Sequence, residues 1–182
     1  MTPRLIDTPM LSTERLMLRA PQASDFEAIA PFVTSDRARF VGGGADKGLG
    51  VAWRMLAIFA GHWHLRGTGV SILTDRNTGR PIGSAGPWYP GDWPEQELGW
   101  WIWNAADEGK GFAHEAMLAL RRHVYADLGW QTAVSYIDAR NTRSLALARR
   151  LGCVHDTSAT PPAKDDPIQV WRHPAPSEVL AA

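Results

Sequence analysis

The sequence predicts an α/β fold of the α+β kind, with about seven short strands and about four helices in a single domain spanning residues 1–182. Three features carry that expectation. Short stretches alternate apolar and polar side chains, the period of a half-buried strand. Other stretches repeat apolar residues every three or four positions, the period of a helix with one buried face. The length, 182 residues, supports one sizeable core and is short for two.

Taken in order, Arg15, Met17 and Arg19 alternate with Leu16 and Leu18, so residues 14–19 read as an opening strand. Ser24 with Glu27 makes a capping-box pattern ahead of Phe26, Ile29 and Val33, which starts a first helix near Asp25. Pro31 inside it should kink or shorten that helix. Residues 35–50, SDRARFVGGGADKGLG, are too glycine-rich for a packed element and read as a mobile loop. Met55, Ile58, Phe59 and His62 mark a second helix over 51–65. Strands at 70–73 and 82–89 flank TDRNTGR, whose Asn77 and Gly79 suit a hairpin turn. Pro87, Pro90, Gly91 and Pro94 then mark a rigid surface connection carrying Trp88 and Trp93. In the strand at 95–103, Leu98, Trp100 and Ile102 face one way and Glu97, Gly99, Trp101 and Trp103 the other; Gly99 suggests a bulge or a close backbone approach.

The chain is organised around residues 107–151, DEGKGFAHEAMLALRRHVYADLGWQTAVSYIDARNTRSLALARRL. Gly109 and Gly111 flank Lys110, and Ala113 follows, so small residues stand where a backbone bends tightly or approaches a ligand. Phe112, Ala116, Leu120, Val124 and Leu128 then fall four apart, with Ala113 and Met117 beside them, while His114, Arg121, Arg122 and Asp127 take the other side. That is one amphipathic helix. Its first N–H groups lack partners within the helix and point into the glycine turn, a natural seat for an anion such as a diphosphate. A strand at 132–138 and a second helix at 141–151 follow, opened by Asn141 and closed by Gly152. Short strands at 154–156 and 168–173 pair antiparallel at an edge across the loop TSATPPAKDD, and 174–182 reads as a frayed tail.

Composition excludes several classes. Nineteen basic and 19 acidic side chains balance, giving no reason to expect a nucleic acid or an anionic membrane as partner. No stretch approaches the length needed to span a bilayer and the N-terminus lacks a secretory signal, so the expected location is cytoplasmic. The one cysteine, Cys153, leaves no internal disulfide and reads as a buried core residue; no Cys/His spacing suggests a metal. Nine tryptophans are many for one small core, so some are expected at a contact between two copies of the chain, a homodimer. A dinucleotide fold fails because His114 stands where a third glycine is needed, and a Walker loop fails for want of GK[ST].

The succession GKGFAHEA, helix, short strand and NTRSLALARRLGC resembles the acetyl-coenzyme A binding core of the GCN5-related N-acetyltransferases (GNAT), over about residues 10–173. STERLMLR, ELGWWI and the Asn141/Ser144 pair are most similar to the branch holding the ribosomal-protein N-terminal acetyltransferases. The resemblance implies a mixed, mostly antiparallel sheet splayed in the middle, with acetyl-coenzyme A as cosubstrate and its diphosphate on Glu108, Gly109, Lys110, Gly111, Phe112 and Ala113. It further implies cofactor contacts from Trp101, Ile102, Trp103, Asn141 and Ser144, with a bulge near Trp101 and Ile102 freeing backbone N–H donors for the thioester carbonyl. Glu108 departs from the Gln, Arg or Trp that members often carry there. A carboxylate beside a diphosphate repels it, so Glu108 is expected to turn its side chain away and offer only its backbone N–H. The resemblance also implies that residues 35–50 line the acceptor site and bear on substrate choice, against the plain reading of a connector.

The implied reaction is direct attack of a primary amine on the thioester. At pH 7 a lysine-type amine is neutral in about one molecule in two thousand and an α-amine in about one in ten, so a base is needed. Glu97 is the candidate base, directly or through water, and Ser144 the candidate proton donor to the leaving thiolate. Against these stand plain readings: Glu97 as a solvated sheet residue, Asn141 as a helix cap, Ser144 as an ordinary helix residue. His114 and His123 lie on the polar side of the helix and read as surface residues. The acceptor is a peptide N-terminus or a small molecule such as a polyamine, antibiotic or metabolite. A non-catalytic acyl-coenzyme A binding module is the rival class.

Overall fold

A computed structural model of the chain describes residues 5, 7–163 and 167–181. It holds a mixed, mostly antiparallel sheet of eight strands with five α-helices among the described residues. The chain divides into two compact units, Met1–Ala85 with Trp100–Ala116, and Gly86–Gly99 with Met117–Ala182.

In the first unit, β1 (Leu11–Ser12), β2 (Leu16–Arg19), β3 (Ser71–Asp75) and the first part of β4 (Pro81–Trp88) run antiparallel in that order. Leu16 and Leu18 are fully buried while Met17 and Arg19 are half-buried, the alternation the sequence predicts. The expected strand at 14–19 starts two residues late because Thr13 N donates to Leu16 O at 2.9 Å and closes a turn, which sets β1 apart as the strand beyond the seven expected.

Helix α1 (Phe26–Val33) is led in by a 3₁₀ turn, Ala23–Asp25, and the expected Ser24/Glu27 box is replaced by Asp25. The buried Asp25 carboxylate accepts the Gln22 N–H at 2.7 Å and both terminal nitrogens of Arg19 at 2.6 and 2.8 Å. Pro31 sits inside this eight-residue helix. Of residues 35–50, expected to be a mobile loop, 35–48 form a loop tied by hydrogen bonds and 49–50 already belong to the next helix. A 3₁₀ turn at Asp36–Ala38 buries Ala38, and the amides of Gly43 and Gly44 donate to Ala38 O and Val33 O at 3.0 and 2.9 Å. Helix α2 (Leu49–Arg66) follows, closed by Gly67 in the left-handed region. The hairpin between β3 and β4 is capped by Asp75, whose Oδ1 accepts from Asn77 N, Thr78 N and Thr78 Oγ1.

Strand β5 (Glu97–Ile102) begins in the second unit, where it lies parallel to β6 (Val134–Asp138); β8 (Ile168–Arg172) pairs antiparallel with β6 and β7 (Val154–His155) with β8. The β5–β6 ladder gives one register pair, Glu97 with Val134. Beyond it the Ser135 hydroxyl donates to Leu98 O at 2.6 Å, so a side chain takes the place of a ladder bond.

Helix α3 (Phe112–Ala126) enters this unit from the first, and α4 (Thr142–Arg150) follows β6. Phe112, Ala116, Met117, Leu120 and Val124 are buried as predicted, but Leu128 lies past the helix end and is exposed. Two residues of the supposed polar side are corrected. Arg121 is buried and donates to Leu151 O at 2.6 Å, capping the C-terminus of α4. His123 has a buried Nε2 without a partner and an Nδ1 2.6 Å from Asp127 Oδ2. Cys153 is buried and its thiol is pushed up to about 12, first by desolvation. The tail is not wholly frayed: Pro176–Leu180 forms α5. Within the loop TSATPPAKDD, residues 164–166 lie outside the described residues. Of the nine tryptophans, Trp53 alone is exposed.

Candidate active site

One set of candidate residues belongs to the first unit. A 3₁₀ turn, Ala105–Asp107, is capped by Asn104, whose Oδ1 accepts the Ala106 N–H at 2.9 Å. Asp107 is buried beneath the glycine loop, gripped by two nitrogens of Arg80 at 2.8 and 3.0 Å and by Lys110 Nζ at 3.4 Å. The Arg80 hydrogen bond is the main reason its carboxyl lies below the usual range. Gly109 and Gly111 sit at φ +73° and +82°, the left-handed region that a side chain at Cβ disfavours. A Cβ would meet nothing within 4 Å at Gly109, and at Gly111 only Arg15 at 3.5 Å. The glycines serve backbone conformation, not packing.

The loop is fixed from the other side by Arg15. Its NH1 donates to Lys110 O at 2.9 Å, its Nε to Glu115 Oε2 at 2.7 Å, and its guanidinium lies 4.7 Å from the centre of the Phe112 ring. The chain thus leaves two left-handed glycines directly into the first turn of α3, where the amides of Phe112 and Ala113 open the helix beside the side chains of Lys110 and Arg15. That arrangement fits a diphosphate.

Glu108 meets its expectation by half. Its carboxylate is turned onto Arg37, but its N–H donates to Ala105 O at 3.2 Å and is spent inside the 3₁₀ turn. Arg37 also donates to the carbonyls of Ile102, at 3.0 Å, and Trp103. Trp103 N donates to Ile82 O at 3.0 Å, its indole N–H is buried without a partner, and the Trp101 ring lies 5.6 Å from that of Phe59. Backbone of the expected bulge is therefore engaged at Trp103. A close backbone approach occurs at Gly83, where a Cβ would stand 2.2 Å from Trp101 O. Arg37 was not singled out in the sequence as a site residue; a lone arginine in a glycine-rich loop has no periodic signal.

The other set belongs to the second unit. Glu97 is 8% exposed, not a solvated sheet residue. Trp93 Nε1–H donates to its Oε2 at 2.6 Å, and Tyr136 N approaches its Oε1 at 3.4 Å. Burial pushes this carboxyl up to about 7, against the opposing pull of the Trp93 and Tyr136 hydrogen bonds. Trp93 stands edge-on to Trp88 at 6.3 Å and to Tyr136 at 6.1 Å. Asn141 is the N-cap of α4, its Oδ1 accepting the Ser144 N–H at 3.2 Å, which puts the part-exposed Ser144 on the first turn. A carboxylate whose affinity for protons sits near neutrality can accept one at pH 7 and release it again. Among the described residues no group of three or more His, Cys, Asp or Glu could hold a metal, and no helix is long and apolar enough to cross a membrane.

Comparison with known proteins gives the family. The model of the acetyltransferase (GNAT) domain matches residues 15–154. An acetyltransferase from Agrobacterium tumefaciens str. C58 is 34% identical, with a TM-score of 0.83 over 96% of this chain and 99% of its own. A proposed ribosomal-protein-serine acetyltransferase from Vibrio cholerae is 19% identical, with a TM-score of 0.71 over 96% of this chain and all 100% of its own. A spermidine N-acetyltransferase chimera from Vibrio cholerae is 16% identical, with a TM-score of 0.67 over 92% and 99%. At these identities the last two share the fold alone, so the ribosomal-protein branch is represented only distantly. No curated protein matches the sequence. With the family model covering most of the chain and a one-third identical structure covering nearly all of it, this protein belongs to the GNAT acetyltransferases, a family that uses acetyl-coenzyme A.

Proposed function

We propose that the protein transfers an acetyl group from acetyl-coenzyme A to a primary α-amine, such as a peptide N-terminus, by direct attack. The observation that carries the choice of acceptor is the buried Glu97 carboxylate, raised to about 7. Moving a proton onto such a base from an α-ammonium near 8 is uphill by about one pKa unit, about 1.4 kcal/mol. From a lysine-type ammonium near 10.4 it is uphill by about 3.4 units, roughly 4.6 kcal/mol. The gap between the two amines is the same for any base, but a base near 7 comes within about one unit of the α-amine only. The proposed ribosomal-protein-serine acetyltransferase and the spermidine N-acetyltransferase chimera share the fold and illustrate the two kinds of acceptor, a protein amine and a small-molecule amine.

Acetyl-coenzyme A supplies the acyl group as a thioester. In this reading Gly109, Gly111, Phe112 and Ala113 hold its diphosphate with backbone N–H groups, supported by Lys110. Glu97 takes the first proton of the ammonium, and the freed nitrogen lone pair forms the C–N bond as the C–S bond breaks. The backbone amides near Trp101 and Ile102 donate to the carbonyl oxygen. Ser144 gives its hydroxyl proton to the departing sulfur and recovers one from the amide nitrogen, so the proton count closes.

The test is a pH–rate profile of kcat/KM with a peptide bearing a free α-amine and with a polyamine. A limb near pH 7 that Glu97→Gln removes, with the peptide preferred, is the expected result. A polyamine preference would overturn the acceptor, and thioester left unconsumed with any amine would overturn the enzyme reading.

A further inference from the structure

We propose that Trp93 is a positioning residue for the acyl transfer: its indole N–H ties up Oε2 of Glu97 and leaves Oε1 as the oxygen that receives the acceptor's proton. The proposal rests on Glu97 being the base.

The two carboxylate oxygens are unequal. Oε2 accepts from Trp93 Nε1–H at 2.6 Å, a short bond to a strong donor, whereas Oε1 has only the Tyr136 backbone N–H at 3.4 Å, beyond the usual range for an N–H···O bond. An indole N–H donates only, so Oε2 has no route to a proton through it, and the loosely held Oε1 keeps lone pairs to accept one. Trp93 is in turn held by edge-on contacts from Trp88 and Tyr136, at 6.3 and 6.1 Å between ring centres. The connection carrying Pro90 and Pro94 brackets it, and Trp93 N donates to Pro90 O at 3.2 Å. A bulky indole set in a short proline-bounded loop gives the carboxylate one orientation.

The charged and titratable groups around Glu97 do not compete for this role. Tyr136, packed beside it on β6, is raised to about 12 chiefly by desolvation and stays a neutral phenol. Glu95 is paired through both oxygens with Arg172 at 2.8 and 2.9 Å. His173 reaches the neighbouring Ser135 hydroxyl at 3.0 Å and is held neutral, lowered to about 3 by burial. Because Ser135 spends its proton on Leu98 O, the bond between His173 and Ser135 is donated by the Nε2–H of a neutral imidazole.

The Trp93 hydrogen bond favours the charged form of Glu97, so removing it should make the carboxylate bind its proton more tightly. Trp93→Phe keeps a ring and deletes the donor; Trp93→Tyr keeps a ring and carries an O–H. The expected result is an acid limb of kcat/KM displaced upward in Trp93→Phe, with the rate at pH 7 about three- to thirtyfold lower and recovering at higher pH. KM for acetyl-coenzyme A should be unchanged, and Trp93→Tyr should lie between Phe and the parent. In the unaltered protein the Trp93 indole N–H resonance should titrate with the same midpoint as the rate, because its acceptor gains and loses charge; this readout needs no variant to fold. A limb unmoved in Trp93→Phe, or an indole resonance that does not titrate, would overturn the positioning role while Glu97→Gln still abolished the limb. An unchanged profile in Glu97→Gln would remove the base itself, and the proposal with it.

Discussion

The carbonyl oxygen of Trp101 occupies the space that a side chain on Gly83 would need: a Cβ there would stand 2.2 Å from that oxygen and 3.1 Å from Ile102 Cα. Both obstacles are backbone, which cannot swing aside. Gly83→Ala is therefore expected to destabilise the protein by about 3 kcal/mol, the upper range for overpacking. Gly91→Ala, where a Cβ meets nothing within 4 Å, should stay within about 0.5 kcal/mol of the parent. Urea unfolding midpoints of the two variants check the contrast.

Gly111→Val addresses the diphosphate seat proposed for the glycine loop. At φ +82° a branched residue is strained whatever space it finds. The loop should relax away from its left-handed turn, with acetyl-coenzyme A bound about ten- to a hundredfold more weakly and the fold retained. Titration calorimetry beside a circular dichroism melt decides it; parental affinity in a folded Val variant would contradict the diphosphate assignment.

Glu97 and His173 make opposite demands on pH. Glu97 has its folded pKa raised from 4.5 to about 7, so its contribution to stability is fully present below 4.5 and is lost as pH rises through 7. His173 has its folded pKa lowered from 6.5 to about 3, so its contribution is present above 6.5 and lost as pH falls through 3. Glu97→Gln should accordingly gain stability over the parent at pH 8, by a few kcal/mol at most. The gain should vanish near pH 4. Melting temperatures of both proteins across that range measure it, and a difference that does not change with pH would refute the burial account.

Ser144→Ala should lower kcat about ten- to a thousandfold with little change in acetyl-coenzyme A affinity, because a proton delivered to departing sulfur matters in the transition state. The Asn141 cap bonds the Ser144 backbone N–H and not its hydroxyl, so α4 should survive the change. Single-turnover kinetics separate the chemical step from release. A full chemical rate would reduce Ser144 to a helix residue.

Helices, the hairpin, the glycine loop and the Asn141 cap were legible because each is local: period, turn chemistry and capping act within a few residues. Glu97 was legible as a strand residue, but its burial was not, since that depends on Trp93 and Tyr136 folding over it. The same limit explains Arg121 and Arg37. An arginine on a helix or in a loop reads as solvent-facing until a carbonyl such as Leu151 O or Ile102 O, far along the chain, comes to meet it. Asp25 displaced the Ser24/Glu27 pattern because Arg19 adds a buried ion pair that capping rules do not count.

Thr13 and Arg15 meet partners about a hundred positions later: Thr13 Oγ1 donates to Glu115 at 2.5 Å, Arg15 N to Glu115 at 2.8 Å, and Arg15 NH1 to Lys110 O at 2.9 Å. During synthesis at about 5–20 residues per second, the start of the chain waits roughly 5–20 s for residue 115 to be made. Until then the glycine loop lacks its brace. The loop is therefore braced only in a chain whose two ends of this contact have already met, so that on the ribosome a braced loop would report a completed first unit and not a nascent one.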